Sequence, residues 1–208
     1  MTWINSPAWH WLTRLGEAQI LLPAALLAIA AMLRQPQGVP LASRWLVLLA
    51  LAVGLTTASK VAFIGWGIGS QALDFTGVSG HAMFAAAVYP LLLGALAPPA
   101  LRVPAVAAGA ALALLVGVSR IPVQAHSVSE VVAGLLLGGA VSVLVLLRVP
   151  LRARLSPWLA PLAALWLALM PGVAPPSQSH AMVTRLALAL SGHEVPHTRH
   201  EMHARLRS

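Results

Sequence analysis

The sequence predicts an all-α polytopic membrane protein, with about six transmembrane helices in one bundle and short interfacial helices at the termini. Two observations carry this reading. Of 208 residues, 59% are hydrophobic and only 9% are charged, against about 25% charged in an ordinary soluble domain. The apolar residues also gather into runs that approach the roughly 20 residues a bilayer core demands.

In chain order, Trp3, Trp9 and Trp11 precede the first run and read as interface anchors on a short surface helix within residues 1–17. Six candidate spans follow: Ala18–Leu33, Trp45–Phe63, His81–Ala97, Val103–Val118, Val128–Leu147 and Pro157–Val173. Pro and Gly inside them do not exclude spanning, because neighbouring helices support an interrupted backbone. Small residues in Ala105–Ala113 and at Gly134, Gly138, Gly139 and Ala140 favour close helix packing. The connections carry Pro and Arg: Pro36 and Pro40, then Pro98 and Pro99, then three arginines in Arg148–Ser156. After Pro175 and Pro176, Met182, Leu186 and Leu190 recur every four residues within Ser177–Leu190, flanked by Val183 and Ala187. That pattern predicts an interfacial amphipathic helix. The tail beyond Ser191 is polar and rich in His and Arg, and is expected to be loosely ordered. Residues 1–208 thus read as one membrane-embedded domain, with residues 177–208 forming an amphipathic helix and polar tail.

Net charge is +8, carried by twelve arginines and Lys60. No basic stripe with interleaved aromatics appears, so nucleic acid is not an expected partner; anionic head groups are. Six spans put both termini on one side, with the Gly65–Gly80 and Ser119–His126 loops. The opposite side holds Arg34, Arg44, Arg102, Arg148, Arg152 and Arg154. The positive-inside rule makes that arginine-rich side cytoplasmic; the tail arginines Arg199, Arg205 and Arg207 pull weakly the other way. A bacterial inner membrane, with the two loops facing the external or periplasmic side, is the expected setting. There is no cysteine, which rules out disulfides and thiolate metal ligands and fits either side of a membrane. The first span, not a cleaved signal peptide, is expected to drive insertion.

Against this apolar background stand Lys60, the cluster Ser79-Gly80-His81, and Ser119-Arg120 followed by His126 and Glu130. Ionisable groups near a membrane interior default to function. Breaking a phosphate ester needs cations and donors for the phosphoryl oxygens, a nucleophile and an acid for the departing oxygen. Lys60 and Arg120 supply charge, Arg120 with a planar fork suited to phosphate. Ser79 and Gly80, with their backbone N–H groups before a helix start at His81, add donors where a helix N-terminus favours an anion. His126 and Glu130, four apart, share one helical face. Glu130 can then fix the imidazole tautomer and leave the other nitrogen free to attack, with His81 as general acid. Simpler roles also exist. Lys60 can snorkel to the interface, and Glu130 can merely pair with Arg120. Asp74 reads as a solvated loop acid. Ser191-Gly192-His193 reads as a chance repeat of the Ser-Gly-His string. The tail histidines His180, His193, His197, His200 and His203 show no zinc-site spacing, so no metal is expected.

The string from Ser119-Arg120 through His126 to Glu130 resembles the third signature of the type-2 phosphatidic acid phosphatase family, the lipid phosphate phosphatases: Ser-Arg, five residues, His, three residues, Asp. Ser79-Gly80-His81 is similar to its second signature, Pro-Ser-Gly-His, and Lys60 to the opening of its first, Lys, six residues, Arg-Pro. The resemblance implies a lipid phosphate or pyrophosphate substrate and a phosphohistidine on His126, oriented by Glu130, with His81 protonating the leaving group. It implies phosphate binding by Lys60, Ser79, Gly80, Ser119 and Arg120, and no metal or other cofactor. Three positions depart from the pattern: Gly67 stands where the family has Arg, Val78 where it has Pro, and Glu130 where it has Asp. A member with altered substrate preference or weak activity fits these changes. A non-hydrolytic lipid-phosphate binder or transporter, and a lipid-to-lipid phosphotransferase, remain alternatives.

Overall fold

The computed structural model describes residues 6–148, 155–156, 158–175 and 177–204. Trp3, Arg152, Arg154, Pro157, Pro176, Arg205 and Arg207, invoked above, lie outside them. The described residues form α1 (Pro7–Arg14), α2 (Ala18–Leu33), α3 (Val39–Trp66), α4 (Gly80–Leu96), α5 (Arg102–Ser119), α6 (Val128–Arg148), α7 (Leu159–Val173), α8 (Ser179–Ser191) and α9 (Arg199–Ala204). Each of the six expected apolar segments is helical. Four stretches are long and apolar enough to cross a membrane: Pro7–Leu33, Pro36–Trp66, Pro99–Ser119 and Val128–Leu147. The helices α4 and α7 are equally apolar but shorter. Leu27, Leu51, Leu55, Leu136, Leu162 and Leu165 face outward, an apolar exterior that water would not tolerate. The chain is an all-helical membrane protein.

Helix α4 sits at the centre, wrapped by α2, α3, α5 and α6. Almost every residue from Ala82 to Ala95 is buried, which is why the helix is apolar all round. Its neighbours approach through missing side chains. A Cβ on Gly134 would lie 2.5 Å from the Ser79 carbonyl oxygen, and one on Gly138 would overlap that of Met83. These two glycines, one turn apart, let α6 lie directly on the α4 backbone.

Pro90 inside α4 has no N–H to give the Ala86 carbonyl. Ser142 Oγ on α6 takes that acceptor at 2.6 Å, and Trp45 Nε1 on α3 donates to the next carbonyl, Ala87, at 3.0 Å. Thus the break is satisfied by flanking helices, as a low-dielectric interior requires. Arg14 on α1 likewise donates to the Pro171 and Ala174 carbonyls at the end of α7, closing a helix C-terminus with a cation.

The C-terminal region departs from expectation. Helix α8 packs on α3 with Ala187 and Val183 inward, while Met182, Leu186 and Leu190 face out. From Gly192 to Ala204 the chain beyond it is tied down. His193 Nδ1 meets the Gly65 carbonyl at 2.7 Å, His197 N donates to the Ile64 carbonyl at 2.9 Å, and Gln71 Nε2 donates to the Met202 carbonyl at 2.8 Å. The first two bonds use carbonyls that the end of α3 leaves unpaired, and the third ties α9 to the α3–α4 loop.

The seam between α4 and α6 gives a matched test. Gly138→Ala is expected to lower thermal stability in detergent by about 1–3 kcal/mol through overpacking. Gly139→Ala, where a Cβ would meet nothing within 4 Å, should leave the melting temperature unchanged or raise it. Equal effects of the two substitutions would contradict the backbone contact.

Candidate functional site

Local chain geometry sets the site. After α5 ends, Ala125 N and His126 N both donate to the Arg120 carbonyl, at 3.1 and 3.4 Å. This turn returns the chain to the bundle and fixes His126 close to Arg120. Ser127 then caps α6: Glu130 N donates to Ser127 Oγ at 3.4 Å and Ser127 N donates to Glu130 Oε2 at 3.2 Å. This is a reciprocal capping box, and it aims the Glu130 carboxylate back toward His126. The result is a 2.7 Å bond between His126 Nδ1 and Glu130 Oε2.

Glu130 is fully buried, and His126 is 14% exposed in its side chain. The carboxylate is satisfied from four places. Besides His126 and Ser127, it accepts Thr76 N at 2.7 Å, Thr76 Oγ1 at 2.6 Å and Arg199 Nη2 at 2.8 Å, all on Oε1. Its backbone carbonyl accepts Ser79 N at 3.1 Å. The two sequence clusters, 81 and 126, are thereby joined through one residue. A carboxylate held by so many donors stays ionised and keeps the proton of neutral His126 on Nδ1, which leaves the lone pair on Nε2.

A cavity of about 620 Å³ opens beside them. Lys60, Gly80, His81, Arg120 and His126 all line it. A Cβ on Gly80 would stand 3.8 Å from Lys60 Nζ, so the ammonium lies over the start of α4. Gly77 makes room for it: at φ 144° its missing Cβ would meet Lys60 Cγ at 2.9 Å. Burial draws the Arg120 guanidinium down to about 10, offset in part by Glu17, so it remains cationic at neutral pH. Arg120 Nη1 is steadied by Thr13 Oγ1 on α1. Among the described residues, Thr56 Oγ1, Ser79 Oγ and Arg120 Nε are buried without a protein partner. Buried polar groups are rarely left so, and two of these residues, Thr56 and Arg120, line the cavity where an anion would sit. Apolar side chains share the lining: Phe63, Ile64, Phe84 and Val183.

Of the residues expected from sequence, Lys60, Gly80, His81, Arg120, His126 and Glu130 converge at this end of the bundle, with Ser79 buried just behind. Ser119 does not join them. Its hydroxyl donates to the Val116 carbonyl of its own helix at 2.6 Å. The Ser79 N–H is also committed, to Glu130, so the free first-turn donors of α4 begin at Gly80. Asp74 is a loop acid, 43% exposed in its side chain, that also pairs with Arg199 at 2.5 Å and His203 at 2.7 Å. The second Ser-Gly-His string serves the fold. Gly192, at φ 71°, ends α8, and His193 anchors on Gly65. A separate cavity of about 800 Å³ lies by His193, His197 and Glu201 and contains none of the expected residues. Among the described residues, no three His, Asp or Glu side chains converge as a metal cluster would. Thr13, Thr76 and Arg199 were not anticipated. Each acts through a partner far away in sequence.

Residues 44–154 match the PAP2 superfamily. The chain is 46% identical over 142 residues to the "Uncharacterized 22.5 kDa protein in cps region" of Klebsiella pneumoniae, covering 66% of this chain and 68% of that one. No solved structure matches the chain.

Burial pushes the His126 imidazole below the usual histidine value; Lys60 and Arg120 act in the same direction, and the Glu130 bond opposes them. Its NMR titration midpoint is therefore expected below about 6.5, and Glu130→Gln should lower it further. The unfolded chain takes up this proton at higher pH than the native one. His126 thus makes the fold less stable as pH drops from about 6.5 toward its native midpoint. A midpoint above the ordinary value would contradict the buried, cation-flanked setting.

Proposed function

The chain belongs to the PAP2 superfamily, and we propose from that membership and the site's geometry that it is a metal-independent phosphatase of a lipid phosphate or pyrophosphate. The observation that carries this reading is the 2.7 Å bond from His126 Nδ1 to the buried Glu130 carboxylate. It leaves Nε2 as the nucleophilic nitrogen, in the cavity that also holds Lys60 and Arg120.

The phosphoryl group sits between Lys60, Arg120 and the first turn of α4, with Ser79 Oγ as a further donor. His126 Nε2 attacks phosphorus, and the bond to the leaving oxygen breaks. His81 donates its proton to that oxygen. Positive charge that develops on His126 is balanced by Glu130. Water, deprotonated by the now neutral His81, then attacks the phosphohistidine and releases phosphate, which restores both histidines. The lipid reading rests on the cavity's mixed lining: Lys60, Arg120 and His126 together with Phe63, Ile64, Phe84 and Val183. That lining suits an amphiphile entering from the bilayer.

In this reading all six apolar helices cross the membrane as one domain. The site end faces the external or periplasmic side, because Arg34, Arg44 and Arg102 cluster at the opposite end. A bacterial inner membrane fits this arrangement.

Release of inorganic phosphate from phosphatidic acid, phosphatidylglycerol phosphate and polyprenyl pyrophosphate tests the proposal on purified protein. Activity on at least one should survive chelators and fall to background in His126→Ala. His81→Ala should cost about 10²–10⁴-fold in kcat, and His193→Ala should cost little. Undiminished turnover in His126→Ala would overturn the mechanism. Binding that depends on Lys60 and Arg120, without cleavage of any of the three, would favour a lipid-phosphate binder. Phosphate appearing on an added lipid alcohol in place of water would favour a phosphotransferase.

A further inference from the structure

We propose that the C-terminal tail completes the site, and that Arg199 is a positioning residue which acts through Glu130 on His126. This rests on the phosphohistidine reading, since it assigns Arg199 a part in that chemistry.

The geometry is specific. Arg199 Nη2 donates to Glu130 Oε1 at 2.8 Å and to Thr76 Oγ1 at 3.3 Å. Nη1 donates to the Asp74 carboxylate at 2.5 Å and to the Asp74 carbonyl at 3.2 Å. One planar guanidinium therefore spans two carboxylates, one from α6 and one from the α3–α4 loop. Its η donors are all taken by protein, so it is placed to hold the site rather than to grip substrate. Asp74 is itself held in a left-handed conformation, at φ 48°, and is pinned from its other oxygen by His203. The tail thus brings both the arginine and an imidazole to the loop acid.

The electrostatic need is equally plain. Glu130 has no solvent exposure. Its other donors, Thr76, Ser127 and neutral His126, carry no net charge. Among the described residues, Arg199 is the permanent cation bonded to it. A buried carboxylate without a charged partner is strongly disfavoured, and its orientation fixes which imidazole nitrogen carries the proton. Arg199 is 35% exposed in its side chain and lines the cavity, so it is reachable from solution.

The position of the tail is related to Gly67. At φ 68°, a Cβ on Gly67 would lie 3.4 Å from the His197 ring. The tail therefore covers the place where a side chain at 67 would emerge, and two residues later it delivers a guanidinium of its own.

The test is Arg199→Ala in the full-length protein, with dioctanoyl phosphatidic acid as substrate and ¹⁵N-histidine NMR as a second readout. Expected are a kcat loss of about 10- to 100-fold, the range seen when a residue orienting a functional ligand is removed, with KM nearly unchanged. Guanidinium added to the buffer should restore part of kcat, and Arg199→Lys should lie between the two. The His126 ring should pass from one Nδ1–H tautomer to a mixture. That NMR change is expected even if no phosphatidic acid is cleaved, so it separates this inference from the phosphatase reading. Unchanged kcat with an unchanged His126 spectrum would overturn it. So would a loss expressed in KM alone, or a loss that tracks a lowered melting temperature and is not rescued by guanidinium.

Discussion

The Glu130 carboxylate is the group on which the site depends. It stands at zero exposure and accepts bonds from three separate pieces of chain: the 126–127 turn, which also caps its own helix, the α3–α4 loop at Thr76, and the tail at Arg199. Its backbone carbonyl adds a tie to the start of α4 at Ser79. Removing a charge-bearing partner from such a group costs about 3–5 kcal/mol, so each contributor is held by the same requirement. The interaction that orients the imidazole also draws the loops together.

That arrangement is possible because the bundle beneath it is closely packed. Helix α4 presents His81 and Gly80 at its first turn, and its position is set by glycines on α6 that remove the side chains in between. Ser142 and Trp45 satisfy the carbonyls around Pro90. The helix is therefore fixed in depth as well as in angle. Lys60 reaches its first turn only because Gly77 yields space. Small residues in the bundle thus translate into cation placement at the site.

Much of this was legible in sequence, for local reasons. The apolar runs gave the helices, and the four-residue spacing of His126 and Glu130 gave their contact. The capping box from Ser127 to Glu130 is also visible as Ser-x-x-Glu ahead of an apolar run. What stayed hidden was long-range. Nothing near Arg199 in sequence announces that it lies against Glu130, 69 residues away, and a polar tail rich in His and Arg looks like solvent-exposed chain. Thr13 on Arg120 and Arg199 on Asp74 are hidden for the same reason. Ser119 shows the converse: a hydroxyl beside a key arginine in sequence turned to its own helix carbonyl, since a helix interior offers that acceptor three residues back.

The proposed chemistry puts the phosphoryl group on His126, oriented by Glu130. The most direct measurement is to quench the enzyme in alkali during turnover of ³²P-labelled substrate and locate the label by mass spectrometry. Label is expected on His126, absent in His126→Ala and diminished in Glu130→Gln. Full turnover with label on no histidine, or on a histidine other than His126, would contradict it.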